Sequence, residues 1–149
     1  MKQYIGTKII KACPMTRGVY NEYRGWTIPS NENHDDEGYL VHYPDGYESW
    51  SPAAVFVDAY RETTGMPFGL AIEAAKKGKK IARAGWNGKN QYVELAYCIS
   101  YKNNAAEVIN VNHCNIGNKA LAFVGTSGVQ MGWLASQADM LADDWYIVD

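Results

Sequence analysis

Phe68–Tyr97 reads FGLAIEAAKKGKKIARAGWNGKNQYVELAY, and its periodicities set the architecture. Phe68, Ile72 and Ala75 recur at helical spacing, so a helix is expected from Phe68 to Lys77. Its lysine-rich last turn suits the negative end of a helix dipole, and Gly78 suits the residue that closes it. Lys80–Arg83 and Tyr92–Tyr97 then carry strand-forming residues on either side of a Trp86-Asn87-Gly88 turn. A helix followed by two adjacent strands leads to an α+β fold, a mainly antiparallel sheet with short helices on one face.

Further along, Val108–Val111, Leu121–Val124, Val129–Leu134 and Trp145–Val148 read as strands, with Gly125-Thr126-Ser127-Gly128 a plain turn. Ser136 is suited to cap a short helix through Leu141, with Asp139 at its third position. Trp145 belongs to the core. Upstream, a small β-rich module is expected over residues 1–64, followed by a second domain over 65–149. In the first, Tyr4–Ala12 alternates loosely as a strand, broken by Pro14 and Gly18, and Asn31–Gly38 is an exposed acidic loop. Tyr39–Tyr43 and Tyr47–Trp50 flank Pro44-Asp45-Gly46 as a hairpin. Ser51-Pro52 reads as a cap and first helical position, opening a helix to about Arg61 with Val55, Phe56 and Ala59 buried.

The 149 residues are 47% apolar and 20% charged, an ordinary globular balance. A net charge of -2 disfavours binding to polymeric nucleic acid, which usually demands a basic face. A small anion needs only a few placed cations. Cys13, Cys98 and Cys114 form no close pair and fit a reducing compartment. No apolar run reaches the length of a membrane span, and the start leads into no signal-peptide core, so no membrane partner is expected.

Two segments concentrate groups able to hold a nucleotide. Around the first tryptophan stand Arg83, Trp86, Asn87 and Lys89; around the second stand Trp133, Ser136, Gln137 and Asp139. An indole can stack on a base, although large aromatics more often stabilise by burial. Arg83 and Lys89 could pair with a pyrophosphate, whereas Lys76, Lys77 and Lys79 suit a solvated helix end. Ser136, Gln137 and Asp139 could meet phosphate or ribose oxygens, or simply cap a helix. Catalytic patterns are missing: there is no GxSxG around Ser136, no HExxH and no P-loop. His113-Cys114 is poor geometry for zinc, and Glu94 with Asp144 is the one acid–base pairing worth naming. No catalytic residue, metal or cofactor is therefore expected.

The run Lys76–Lys89, with its Arg-x-Gly-Trp-Asn-Gly, and Gly132-Trp133-Leu134-Ala135-Ser136-Gln137-Ala138-Asp139-Met140-Leu141-Ala142-Asp143-Asp144-Trp145 together resemble the paired signature of the second Thoeris anti-defence family, a small phage-borne domain. The resemblance covers about Met66–Asp149, with residues 103–130 matching less closely. It implies a homo-tetramer that holds cyclic ADP-ribose-type molecules, in some members cyclic di- or trinucleotides, at subunit interfaces without cleaving them. It places the protein in the cytoplasm of an infected bacterial host. It favours Trp86, Asn87, Lys89, Trp133, Ser136, Gln137 and Asp139 as ligand contacts. The first 64 residues resemble a module found on assorted phage proteins, where Arg24 and Trp26 could furnish a second nucleotide site or serve oligomerisation. A nucleotide hydrolase and a phage structural or assembly protein are the competing readings.

Overall fold

A computed structural model describes residues 1–97, 99–110 and 119–149. His113, Cys98, Cys114 and the end of the strand expected over Val108–Val111 lie outside the described residues. The described chain is α+β, with ten strands, all paired antiparallel, and four short helices. It forms two compact units, Met1–Arg61 and Glu62–Asp149.

In the first unit, β1 (Lys11–Pro14), β2 (Gly38–His42) and β3 (Glu48–Pro52) form a sheet in the order β1-β2-β3. The expected hairpin is present, with Gly46 at φ +88° in its turn. The strand expected over Tyr4–Ala12 is not: only Lys11 onward is paired, and Tyr4 and Ile5 are exposed. Their alternation has no facing strand and no core to point into.

Helix α1 (Arg17–Arg24) stands where the sequence pattern places a break at Gly18. Thr16 caps it by accepting from the Val19 N–H, and Gly25 closes it at φ +70°. Gly18 is needed for close approach, since a Cβ there would come within 2.8 Å of the His34 Cβ. Tyr20, Leu40 and Val41 make the small core, and Trp50 donates its indole N–H to the Met15 carbonyl at 2.7 Å.

Helix α2 spans Ala53–Ala59, shorter than expected. Pro52, not Ser51, is its cap, because the Ser51 hydroxyl donates to the Pro52 carbonyl and leaves the helix N–H groups alone. The expected buried stripe is also corrected. Val55 and Ala59 are exposed, and only Phe56 of the three is half-buried, stacked on Tyr39 with ring centroids 4.0 Å apart.

The second unit holds α3 (Phe68–Lys76), β4 (Lys80–Arg83), β5 (Tyr92–Tyr97), β8 (Lys119–Gly125), β9 (Gly128–Met131), α4 (Gln137–Met140) and β10 (Trp145–Val148). Its sheet runs β10-β4-β5-β8-β9, beside a two-stranded ribbon of β6 (Ser100–Lys102) and β7 (Val108–Asn110). Strand β6 carries no pattern that marks it in the sequence, and β9 stops three residues short of Leu134. There Gly132 turns the chain at φ +78°, and the N–H groups of Gly132 and Trp133 both go to the Leu121 carbonyl.

Helix α3 buries Ala71, Ala74 and Ala75 against Ile81, Val93 and Trp145. These small residues let the helix lie close to the sheet, while Phe68 and Ile72 pack at the border of the core. Strand alternation and register put Ile81, Arg83, Val93, Phe123 and Trp145 on this same face. Everything needed for a pocket is therefore on the helix side of the sheet.

Candidate functional site: an aromatic cleft on a carboxylate hub

Trp145 is fully buried and donates its indole N–H to the Asp139 carbonyl at 2.8 Å, fixing α4 over the sheet. Trp86 packs edge-to-face on Trp145, Trp133 and Phe123, with centroids 5.3, 6.1 and 5.5 Å away. Phe123 and Trp133 lie nearly parallel, 24° apart. Such edge-to-face contacts are worth about 0.5–1.5 kcal/mol each beyond area burial, enough to hold the rings in fixed orientations.

Below the rings lies a network that the sequence did not disclose. Arg83 donates from Nε to Asp144 Oδ1 at 2.8 Å and from Nη1 to Asp139 Oδ1 at 2.9 Å. Asp139 Oδ1 also accepts from the Trp86 indole N–H at 3.2 Å. Its Oδ2 accepts from the Ser136 N–H and hydroxyl at 3.1 and 2.8 Å, completing a capping box at α4. Asp144 Oδ2 accepts from the Gly85 N–H at 2.8 Å.

Burial would raise the Asp139 pKa, but donors from Arg83, Ser136 and Trp86 outweigh it and hold the carboxyl at about 2. Hydrogen bonding from Arg83 likewise lowers Asp144, and the two carboxylates in turn raise Arg83. All three groups are charged at neutral pH and committed to one another.

Above the hub opens a cleft of about 290 Å3, lined by Trp86, Asn87, Gly88, Gln91, Phe123, Trp133 and Asp139. Of the residues singled out from the sequence, Trp86, Asn87, Trp133 and Asp139 meet here. Arg83 stands behind the wall in its ion pairs, and the side chain of Ser136 is engaged in its cap. Gln137 and Lys89 are exposed and outside the lining. In the first unit Arg24 does meet Trp26, its guanidinium 5.0 Å from the indole centroid and 5.8 Å from Tyr20.

Gln91 and Phe123 escaped notice in the sequence. Phe123 comes to the cleft through the β5–β8 pairing, and Gln91, the residue before β5, folds over Gly88, where a Cβ would overlap its amide. The residue types here serve stacking and hydrogen bonding. Asp144 is tied to Arg83, while Glu94 faces the opposite side of the sheet by strand alternation, so the two do not form an acid–base pair. Among the described residues, no three His, Cys, Asp or Glu side chains cluster as a metal site. Among the same residues no helix is long and apolar enough to cross a membrane.

Residues 66–148 match the family described as the Thoeris anti-defense 2-like domain, a span that includes α3, the aromatic cleft and its carboxylate hub. The chain belongs to that family. A curated protein of Bacillus phage SP01, Thoeris anti-defense 2, is 38% identical over 90 residues, covering 57% of this chain and 97% of the phage protein. The Thoeris anti-defense 2-like region thus coincides with the second unit, and the first unit lies outside the matched residues.

Proposed function

We propose that this protein counters Thoeris defence in an infected bacterial cell by binding a cyclic nucleotide signal and withholding it, uncleaved, from its effector. Family membership supports the anti-Thoeris direction. The observation that carries the rest is the cleft itself. Two indoles and a phenyl ring are locked by neighbours, with the amides of Asn87 and Gln91 at the rim. That combination suits a stacked base whose polar edge is read by amides. Lys89, exposed on the Trp86 turn, is the cation we assign to the ligand's phosphates, because Arg83 is already shared between two carboxylates. Gln137 is assigned the outer rim.

A cleft of about 290 Å3 is near the lower limit for small-molecule sites and is open to solvent. Enclosing a cyclic nucleotide calls for a second surface, which we assign to another copy of the chain, in a tetramer. Leu134 and Leu141 are 90% and 77% exposed in the segments flanking Trp133 and α4, and are the apolar groups that such a contact would cover.

A sponge needs tight binding, and a Kd near 1 nM corresponds to about -12 kcal/mol. Titration calorimetry against cyclic ADP-ribose isomers and cyclic di- and trinucleotides, with mass analysis of the ligand released by heat, tests the reading. At least one ligand is expected to bind and return intact, with Trp86→Ala and Trp133→Ala each weakening it tenfold or more. Unchanged affinity in both variants refutes the cleft as the site, and a cleaved ligand refutes sequestration. Light scattering of the eluting protein checks the tetramer.

A further inference from the structure

The β8–β9 turn encloses a second hollow of about 230 Å3, lined by Gln91, Phe123, Thr126, Ser127, Gln130 and the backbone around them. It shares Gln91 and Phe123 with the aromatic cleft, so the two are neighbouring chambers of one groove. Gly125 lines the second hollow beside that shared pair. A Cβ at that position would stand 3.1 Å from the Phe123 ring and 3.9 Å from the Gln91 amide nitrogen, narrowing the passage. Gly128, at φ +129°, lets the turn close in a conformation that side-chain-bearing residues rarely adopt.

The chemistry of the two chambers differs. The first is floored by rings. The second offers two hydroxyls, two amides and main-chain groups, and its lining contains no lysine, arginine, aspartate or glutamate. A phosphate is ordinarily met by a cation or a helix N-terminus, and neither lines this hollow. Hydroxyl and amide side chains both donate and accept, which is the pattern that matches a sugar diol.

We infer that the Thr126-Ser127 turn is a ribose-binding subsite, receiving the sugar hydroxyls of a nucleotide whose base stacks on Trp86 and Trp133. Gln91 stands at the junction, where it can reach either the base edge or the sugar. This rests on the cleft's assignment to nucleotide binding and extends it by naming the part of the ligand that the turn reads. It also gives a selectivity: the groove prefers ribo- over deoxyribonucleotides.

Two ligand-side and protein-side tests combine. With cyclic ADP-ribose as probe, Thr126→Val/Ser127→Ala is expected to bind about tenfold more weakly than the unmodified chain. In amide-resolved NMR at millimolar ligand, adenosine is expected to shift the signals of Thr126, Ser127 and Gly128, and 2′,3′-dideoxyadenosine to leave them in place. The nucleoside pair needs no substitution, so it decides the matter even if the variant misfolds. Equal shifts from both nucleosides, or a double variant that binds cyclic ADP-ribose normally while Trp86→Ala does not, refute the ribose subsite and leave the stacking site standing. If neither nucleoside shifts any signal of the groove and cyclic ADP-ribose does not bind, the ribose subsite falls with nucleotide binding at the cleft.

Discussion

Replacing Asp139 by alanine removes the acceptor on which the site is assembled. The carboxylate receives four donors: Arg83, the Trp86 indole, and the N–H and hydroxyl of Ser136. Loss of the capping box alone costs about 1 kcal/mol. The Arg83 pair is largely screened from water, with side chains 18% and 13% exposed, and hydrogen bonds to charged groups contribute about 1.5–3 kcal/mol. Arg83 keeps Asp144, however, so part of that is retained.

A net cost of about 2–3 kcal/mol follows, and in a domain of this size each kcal/mol moves Tm by about 4–8 °C. Thermal unfolding followed by near-ultraviolet circular dichroism of the clustered tryptophans is therefore expected to show Tm lowered by about 10–20 °C. Ser136→Ala should cost about 1 kcal/mol in the native background and measurably less when Asp139 is already absent, because the bonds to the carboxylate are then gone and only the cap from the residue 139 N–H remains. A Tm drop below about 3 °C for Asp139→Ala, or full additivity of the two substitutions, would refute the hub.

The hub also sets a pH response. Asp139 titrates at about 2 in the folded protein, and Asp144 is lowered as well, so both contribute stability that is complete above the unfolded carboxylate range. That contribution is lost as pH falls from about 4 toward 2, on the order of 1 kcal/mol for Asp139 after allowance for solvent screening; Tm measured across this range should fall less steeply in Asp139→Asn. In the first unit, Gly38→Ala would force a Cβ into the Trp50 ring and the Ser51 carbonyl. It should destabilise that unit by roughly 1–3 kcal/mol, read by urea unfolding, and an unchanged midpoint would show that the strand pair can yield.

What the sequence disclosed and what it hid divide along sequence separation. The α3–Gly78–β4 run and the Ser136–Asp139 cap are local, governed by periodicity and by atoms three residues apart, and both were legible. The tryptophans were legible too: Trp145 is buried, as its place in a strand pattern implies, while Trp86 and Trp133 line the cleft. Arg83 was read as a phosphate ligand because its partners lie 56 and 61 residues away. Gln91 and Phe123 carry no motif: the β5–β8 register brings Phe123 into the groove, and Gln91 enters it from the turn just before β5. The failure over Tyr4–Ile10 was of the opposite kind, a real alternation with nothing opposite it. Helix α1 was missed because Gly18 has poor helix propensity, which the tight contact with His34 overrides.

Met66 and Trp145 exchange backbone hydrogen bonds at 2.7 and 3.1 Å, and the Ile147 N–H reaches the Thr63 carbonyl at 2.9 Å. The second unit therefore begins and ends side by side, as an antiparallel pair. A module with adjoining entry and exit strands can be spliced into a loop of a host protein, or have its ends joined and be reopened elsewhere, without stretching its core. The β6–β7 ribbon offers one such reopening point, at the Asn103–Glu107 turn, since neither of its strands lines the aromatic cleft.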